Sequence, residues 1–283
     1  MTSVYLKILS LNRLLNSLNS YRDSLKVLLK NTQLYVKEGK KPEIDLLKVR
    51  YSLEDASSKI IEVRESIKRL KSVLISYVGV EDLDLNSFEE IHPFPEINIK
   101  NISISDLKKI KILKEREKIA EKKVEIERGK YLPQIYFTGS FQRNAGAGEY
   151  KDLWQVGLRI EYILFDFGVR KHSYIKAVLE REKIKNEIKK RKLEILSRIQ
   201  EAVSKINTAR AKIKRAQQKL TYARAIEEAE KVKYEEGVSD LYNYLYAKSQ
   251  KIIAQSELIQ SIYDKYTGMA YLRFLMEAYD ENN

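Results

Sequence analysis

Gln134-Ile135-Tyr136-Phe137-Thr138-Gly139-Ser140-Phe141-Gln142-Arg143, with its partner stretch Trp154-Gln155-Val156-Gly157-Leu158-Arg159-Ile160-Glu161-Tyr162-Ile163-Leu164, decides how this chain is read. Ile135, Phe137, Gly139 and Phe141 share one parity, and Tyr136, Thr138, Ser140 and Gln142 the other. Trp154, Val156, Leu158, Ile160, Tyr162 and Leu164 likewise alternate with Gln155, Gly157, Arg159 and Glu161. Period two on both sides of a polar, glycine-containing turn is a β-hairpin pattern. Strands of roughly 9–11 residues, apolar on one face and polar on the other, fit a transmembrane β-barrel. An ordinary hairpin packed on helices has the same alternation. If the hairpin sits in lipid, two strands cannot close a barrel, and a barrel has no open edge. Several chains must then share one, with Ile135, Phe137, Phe141, Trp154, Val156, Leu158, Ile160, Tyr162 and Leu164 facing lipid. Thr138, Ser140, Gln142, Gln155, Arg159 and Glu161 would face the lumen.

Outward from the hairpin everything reads as helix. Glycine and proline supply only 14 of 283 residues, about 5% against roughly 12% in average proteins. Charged residues make 33% and hydrophobic ones 43%, which suits long helices with narrow apolar seams. Residues 4–38 step through Leu6, Leu9, Leu14, Leu18, Leu25 and Leu28, and Gly39 and Pro42 end that run. Residues 43–77 carry Leu46, Val49, Leu53, Ala56, Ile60, Val63, Ile67, Leu70 and Leu74 at threes and fours, a coiled-coil seam. The first division is therefore an antiparallel helical hairpin over 1–79 with its tip at Gly39. A connector over 80–105 contains His92-Pro93 and short apolar runs, and a helix follows over 106–130. The β-hairpin occupies 131–168. A second helical hairpin over 169–283 opens with nearly 70 proline-free residues, about 100 Å of helix, turns at Gly237 and returns from Asp240 to about Ala278.

The two helical hairpins are copies. Gly39 set over Gly237, an offset of 198, brings Tyr-Val-Lys-Glu-Gly (35–39) over Lys-Tyr-Glu-Glu-Gly (233–237) and Ala56 over Ala254. Self-similarity at a fixed offset describes architecture. The first copy lacks a counterpart of the β-hairpin, so the reading expects an N-terminally shortened chain or a fragment. Lys7, Asn12 and Arg13 interrupt the N-terminus too early for a secretory leader.

Charge and motifs exclude more than they assign. The chain has 53 basic and 40 acidic residues, net +13, and no cysteine. A disulfide framework and a thiolate metal site are thus excluded. Lys176–Lys219 carries 15 basic and 5 acidic side chains, whereas Leu220–Asn283 carries 7 and 11. The basic stretch is either an anion-attracting surface or a solvated helix face. Asp166-Phe167-Gly168 has no kinase motifs around it and marks a strand-to-helix joint. Gly146-Ala147-Gly148 is a loop tip. His92 and His172 have no ligand partner at metal spacing. Glu89-Glu90 and Glu227-Glu228 join no nucleophile or oxyanion set. The reading is of a chain that is not an enzyme, with no catalytic residue, metal or cofactor.

Four segments resemble the TolC-like outer membrane efflux protein family. They are Arg128-Gly129-Lys130-Tyr131-Leu132-Pro133-Gln134-Ile135; Trp154 to Leu158 leading to Leu164-Phe165-Asp166-Phe167-Gly168; Tyr234-Glu235-Glu236-Gly237; and, more weakly, Gly39 to Leu47. Together with the duplication, they cover nearly the whole chain. The resemblance implies a mainly α fold with internal duplication, in which long antiparallel coiled-coil hairpins form an α-barrel. A membrane β-hairpin joins an oligomeric β-barrel. It further implies a homotrimer in outer-membrane lipid with a periplasmic extension. Such a duct passively exports small molecules or proteins in a tripartite efflux or type I secretion system, beside a periplasmic adaptor and an inner-membrane pump. No nucleic-acid partner is implied. Family members carry four strands per protomer, whereas this chain supplies two. The family's periplasmic aperture maps to Gly39, Asp45, Tyr234, Gly237, Tyr242, Asn243 and Tyr246. Asp45 stands where the family has an aspartate, and Asn243 and Tyr246 where some members place constricting ones. The run Tyr242, Tyr244, Tyr246 reads either as rings closing the tip or as helix packing. The rivals are a periplasmic adaptor, which would need β-rich domains, and a soluble basic coiled coil binding nucleic acid or membrane surfaces, which leaves the strands and the repeat unexplained.

Overall fold

The computed structural model describes residues 1–79, 103–146 and 149–277. Its elements are α1 (Thr2–Lys37), α2 (Glu43–Val78), α3 (Lys108–Gly129), β1 (Gln134–Gly146), β2 (Glu149–Glu161), α4 (Val169–Glu235) and α5 (Leu241–Leu275). The connector expected over 80–105 lies outside the described residues as far as 102. A single 3-10 turn, Ile104–Asp106, then leads into α3. The chain forms two compact units, Met1–Asn98 with Arg198–Asn283, and Ile99–Ser197.

The first unit packs α1, α2, α5 and the later part of α4 along the expected seams. Leu25, Val49, Ala56 and Leu241 are fully buried in one cluster with Leu28, Tyr234, Tyr244 and Leu245. Leu18, Ile60 and Ile252 form another layer, and Ile8, Ile67 and Leu74 a third. Each fully buried Leu or Ile stabilises the packing by about 1.5–3 kcal/mol. The core is therefore spread along the helices as a series of small layers. Helix approach is close where side chains are small: a Cβ on Gly268 would meet Ile206 Cγ1 at 3.0 Å.

The duplication holds atom by atom at the turns. At the first tip Gly39 N–H donates to Val36 O at 3.0 Å and Lys40 N–H to Tyr35 O at 2.8 Å. At the second, Gly237 N–H donates to Tyr234 O at 3.2 Å and Val238 N–H to Lys233 O at 2.8 Å. Both sets are the crossed pair of a Schellman motif, which needs a left-handed residue. Gly39 and Gly237 provide it, with φ 72° and 77°. The return helices also start in register, at Glu43 and Leu241. Their far ends match as well: Gly79, φ 75°, is answered by Glu277, φ 52°.

In the second unit α3 and the first part of α4 bury Ile110, Leu113, Ala120, Ala177, Ile188 and Ile195. Strands β1 and β2 pair antiparallel from Gln134↔Glu161 to Gly146↔Glu149. Each strand has 13 residues, longer than the ten or so that the alternation suggested. At the other end, the strand expected through Leu164 stops at Glu161. Continuing the register would set Tyr162 opposite Pro133, which has no N–H to give the ladder. Tyr162 and Leu164 therefore belong to the joint leading into α4.

Candidate functional site

The hairpin sorts its side chains as the alternation requires, because directly paired residues share a face. Ile135 pairs with Ile160, Phe137 with Leu158, Gly139 with Val156 and Phe141 with Trp154. Opposite them lie the pairs Tyr136 with Arg159, Thr138 with Gly157 and Ser140 with Gln155. Gly157 makes room for its neighbour, since a Cβ there would sit 3.1 Å from Thr138 Oγ1. The apolar face is open: Phe137 is 75% exposed and Trp154 76%. It ends sharply at Arg143, whose guanidinium donates to both carboxylate oxygens of Asp152 at 2.7 and 3.0 Å. Gln142 lies on the polar face across from Leu153.

Asp166 secures the other end. Its carboxylate accepts from Gly168 N at 3.1 Å, Arg170 N at 2.9 Å and Arg170 Nε at 2.7 Å, capping the first turn of α4. Arg170 in turn lies over the Tyr131 ring at 5.4 Å. Phe167 and Gly168 both take left-handed backbone, φ 55° and 84°, and so turn the chain from strand direction into helix.

At the helical tips the expected aperture residues divide into an inner and an outer set. Tyr234 is buried and stacks on Tyr244 at 5.8 Å, inside the layer shared by both hairpins. Tyr242 and Tyr246 stack on each other at 6.3 Å on the outside. The tyrosine run is thus packing at 244 and exposed surface at 242 and 246. Asp45 is buried and pairs with Lys48 Nζ at 3.3 Å. Asn243 is exposed, and its N–H is capped by Asp240 Oδ1 at 2.9 Å.

Several tip residues were not anticipated. Lys41 Nζ sits 4.5 Å from the centre of the Tyr234 ring. Thr32 is fully buried beside Tyr234, and burial pushes that phenol above its ordinary value, with the Asp45 charge adding to the effect. One layer further in, buried Glu227 accepts from Lys248 at 3.2 Å and also pairs closely with Lys251. Burial acts to raise the Glu227 pKa, but the bonds from Lys251 and Lys248 outweigh it and hold it below the ordinary value. Tyr21 is pushed up to about 12 by burial, then by Asp55 and Glu227.

Residues 109–276 match the family model described as outer membrane efflux protein. The chain belongs to the outer membrane efflux protein family. Among solved structures it is similar to the outer membrane protein VceC of Vibrio cholerae, 16% identical, with a TM-score of 0.81 over 96% of this chain and 67% of that one. The Campylobacter jejuni CmeC outer membrane channel is 17% identical, with a TM-score of 0.78 over 99% and 62%. The open-state MtrE outer membrane channel of Neisseria gonorrhoeae is 14% identical, with a TM-score of 0.76 over 97% and 65%. At such identities the likeness is one of fold. The chain spans about two thirds of the length of these channels, between 62% and 67%. No curated protein matches the sequence. Among the described residues no helix is long and apolar enough to cross a membrane.

Proposed function

We propose that the chain is a channel-forming subunit of a homotrimeric outer-membrane duct with a periplasmic extension. Small molecules or proteins would leave through it passively, delivered by an inner-membrane pump through a periplasmic adaptor, with no catalytic step in the chain itself. In this reading the apolar face of the hairpin meets lipid, and Thr138, Ser140, Gln142, Gln155, Arg159 and Glu161 line the lumen. Gly39, Asp45, Tyr234, Gly237, Tyr242, Asn243 and Tyr246 belong to the periplasmic aperture.

The observation that carries the reading is the hairpin with its apolar face uncovered and, among the described residues, no third strand on either edge. Open edges are not tolerated in lipid, so strands beyond these two, those of further copies among them, must supply the pairing. Helix α3 supports the same conclusion. Ile112, Ile119 and Ile126 repeat at seven residues and are 57%, 64% and 61% exposed, an apolar stripe of the kind that seats a partner helix. The test is to purify the protein from membranes, measure its native mass in detergent and record conductance in planar bilayers. A native mass of three polypeptides, set against the intact mass of the purified chain, with stepwise conductance is the expected result. A monomer that conducts nothing overturns the reading.

A further inference from the structure

The foot of the β-hairpin is apolar well beyond what the strands account for. From Ile135 to Phe141 the apolar face runs about 20 Å along the strand, short of the roughly 25 Å band of membrane barrels. The shortfall is met outside the sheet. Leu132, Leu164, Phe165 and Phe167 are 67%, 85%, 71% and 89% exposed, and Phe165 and Phe167 meet edge to face at 4.7 Å. Exposed apolar patches mark contact surfaces.

Leu132 also lines a cleft of about 810 Å³, together with Glu125, Arg128, Gly129, Tyr131 and Tyr174. Its charge is unbalanced. Glu125 is engaged by Lys122 at 2.7 Å, and the adjacent Glu127 by Lys130 at 2.7 Å. Among the described residues no carboxylate pairs with Arg128. One wall is held rigid, because Arg170 is fixed on Asp166 at 2.7 Å and lies over Tyr131.

From this juxtaposition we infer that the cleft binds the headgroup of an anionic phospholipid, its acyl chains lying along Leu132 and the apolar face of the hairpin. Arg128 offers a planar fork of donors that fits two oxygens of a phosphodiester. Tyr131 and Tyr174 add hydroxyl donors. Glu125 and Glu127 each already hold a lysine through one oxygen, which offsets their pull on a headgroup amine, so an uncharged polyol head such as glycerol is preferred over choline. The inference rests on the membrane reading of the hairpin, and the experiment separates the two.

Trp154 is the only tryptophan of the chain and stands on the apolar face, so lipids with brominated acyl chains report insertion by quenching it. The full chain is reconstituted in phosphatidylcholine vesicles and in an equal mixture with phosphatidylglycerol. Lipid retained after release into detergent is read by native mass spectrometry. The expected result is quenching in both vesicles and preferential retention of phosphatidylglycerol, falling about tenfold in Arg128→Gln and less in Arg128→Lys. Should Arg128→Gln fail to insert, Tyr174→Phe is read in its place, with a smaller loss expected. Quenching with no phosphatidylglycerol preference, or with a preference that inserted variants keep in full, overturns the headgroup site and leaves the membrane reading standing. An unquenched Trp154 in the parent protein overturns both.

Discussion

Glu227 Oε1 and Lys248 Nζ lie 3.2 Å apart with both side chains buried, binding α4 to α5 one layer inside the tips. Lys248 also lies over the Tyr244 ring at 5.3 Å, and Tyr244 stacks on Tyr234, so the ion pair is continuous with the aromatic layer of both hairpins. Removing one partner of such a pair leaves a buried charge uncompensated. Glu227→Ala strands Lys248 and is expected to destabilise the unit by about 3–5 kcal/mol. Lys248→Met leaves Glu227 paired with Lys251, so no charge is stranded and the expected cost is smaller, about 1 kcal/mol. Urea unfolding followed by helical circular dichroism measures both. A loss below about 1 kcal/mol in Glu227→Ala would mean that the pair is no more than a surface contact.

The same layer sets the pH limits of the helical unit. A carboxylate held below its ordinary value contributes stability above that value and loses it as pH falls through the lowered one. Glu227 therefore weakens the unit on the acid side. Tyr21, Tyr234 and Tyr244 are raised, all by burial first. Their contribution is full below the ordinary tyrosine value of 10.0 and is lost above it, for Tyr21 as pH rises through about 12. A stability plateau with a fall at each end is the expected outcome, and Glu227→Gln should flatten the acid limb. Tyrosinate absorbance that titrates fully at ordinary values, before any loss of helix, would contradict the alkaline half.

The two tip glycines act through backbone conformation alone. A Cβ added at Gly39 or Gly237 meets nothing within 4 Å, so Gly→Ala there pays only for the left-handed conformation, about 1 kcal/mol at each site. Glu277 occupies the equivalent of Gly79 with φ 52°, so the backbone part of Glu277→Gly is a gain of about 1 kcal/mol, set against the interaction its side chain gives up. Thermal or urea unfolding of the three variants measures this. Unequal losses at Gly39 and Gly237 would mean that the tips are not energetically equivalent.

The helices were legible because their seams are regular, and the tips because glycine is placed where the left-handed region is required. The alternation over 134–143 and 154–161 likewise fixes which strand residues share a face. What escaped the reading was polar material on seam positions. Glu227 continues the steps Leu220, Ala223, and Lys248 falls between Leu245 and Ile252. Thr32 follows Leu25 and Leu28 in the same way. A carboxylate and an ammonium on facing seams signal a buried pair, but a single seam does not reveal which partner faces it. Lys41 over Tyr234 was not legible at all, since it depends on two turns 198 residues apart meeting in space. The extent of β2 failed for a simpler reason: the alternation continues to Leu164, while pairing depends on the opposite strand, where Pro133 ends it.

Orientation of the hairpin in a bilayer makes the last prediction. Leu158 and Ile160 lie on the apolar face, paired with Phe137 and Ile135, whereas Gln155 lies on the polar face opposite Ser140. If the apolar face meets hydrocarbon, Leu158→Arg or Ile160→Arg should cost about 2–4 kcal/mol near mid-bilayer. Gln155→Arg changes charge to the same extent on the face proposed to meet water, and should insert like the parent chain. Folding into vesicles, followed by Trp154 fluorescence, compares all three in one assay. Normal insertion of Leu158→Arg and Ile160→Arg would show that this face does not meet lipid, and equal damage from Gln155→Arg would show that the hairpin tolerates charge on neither side.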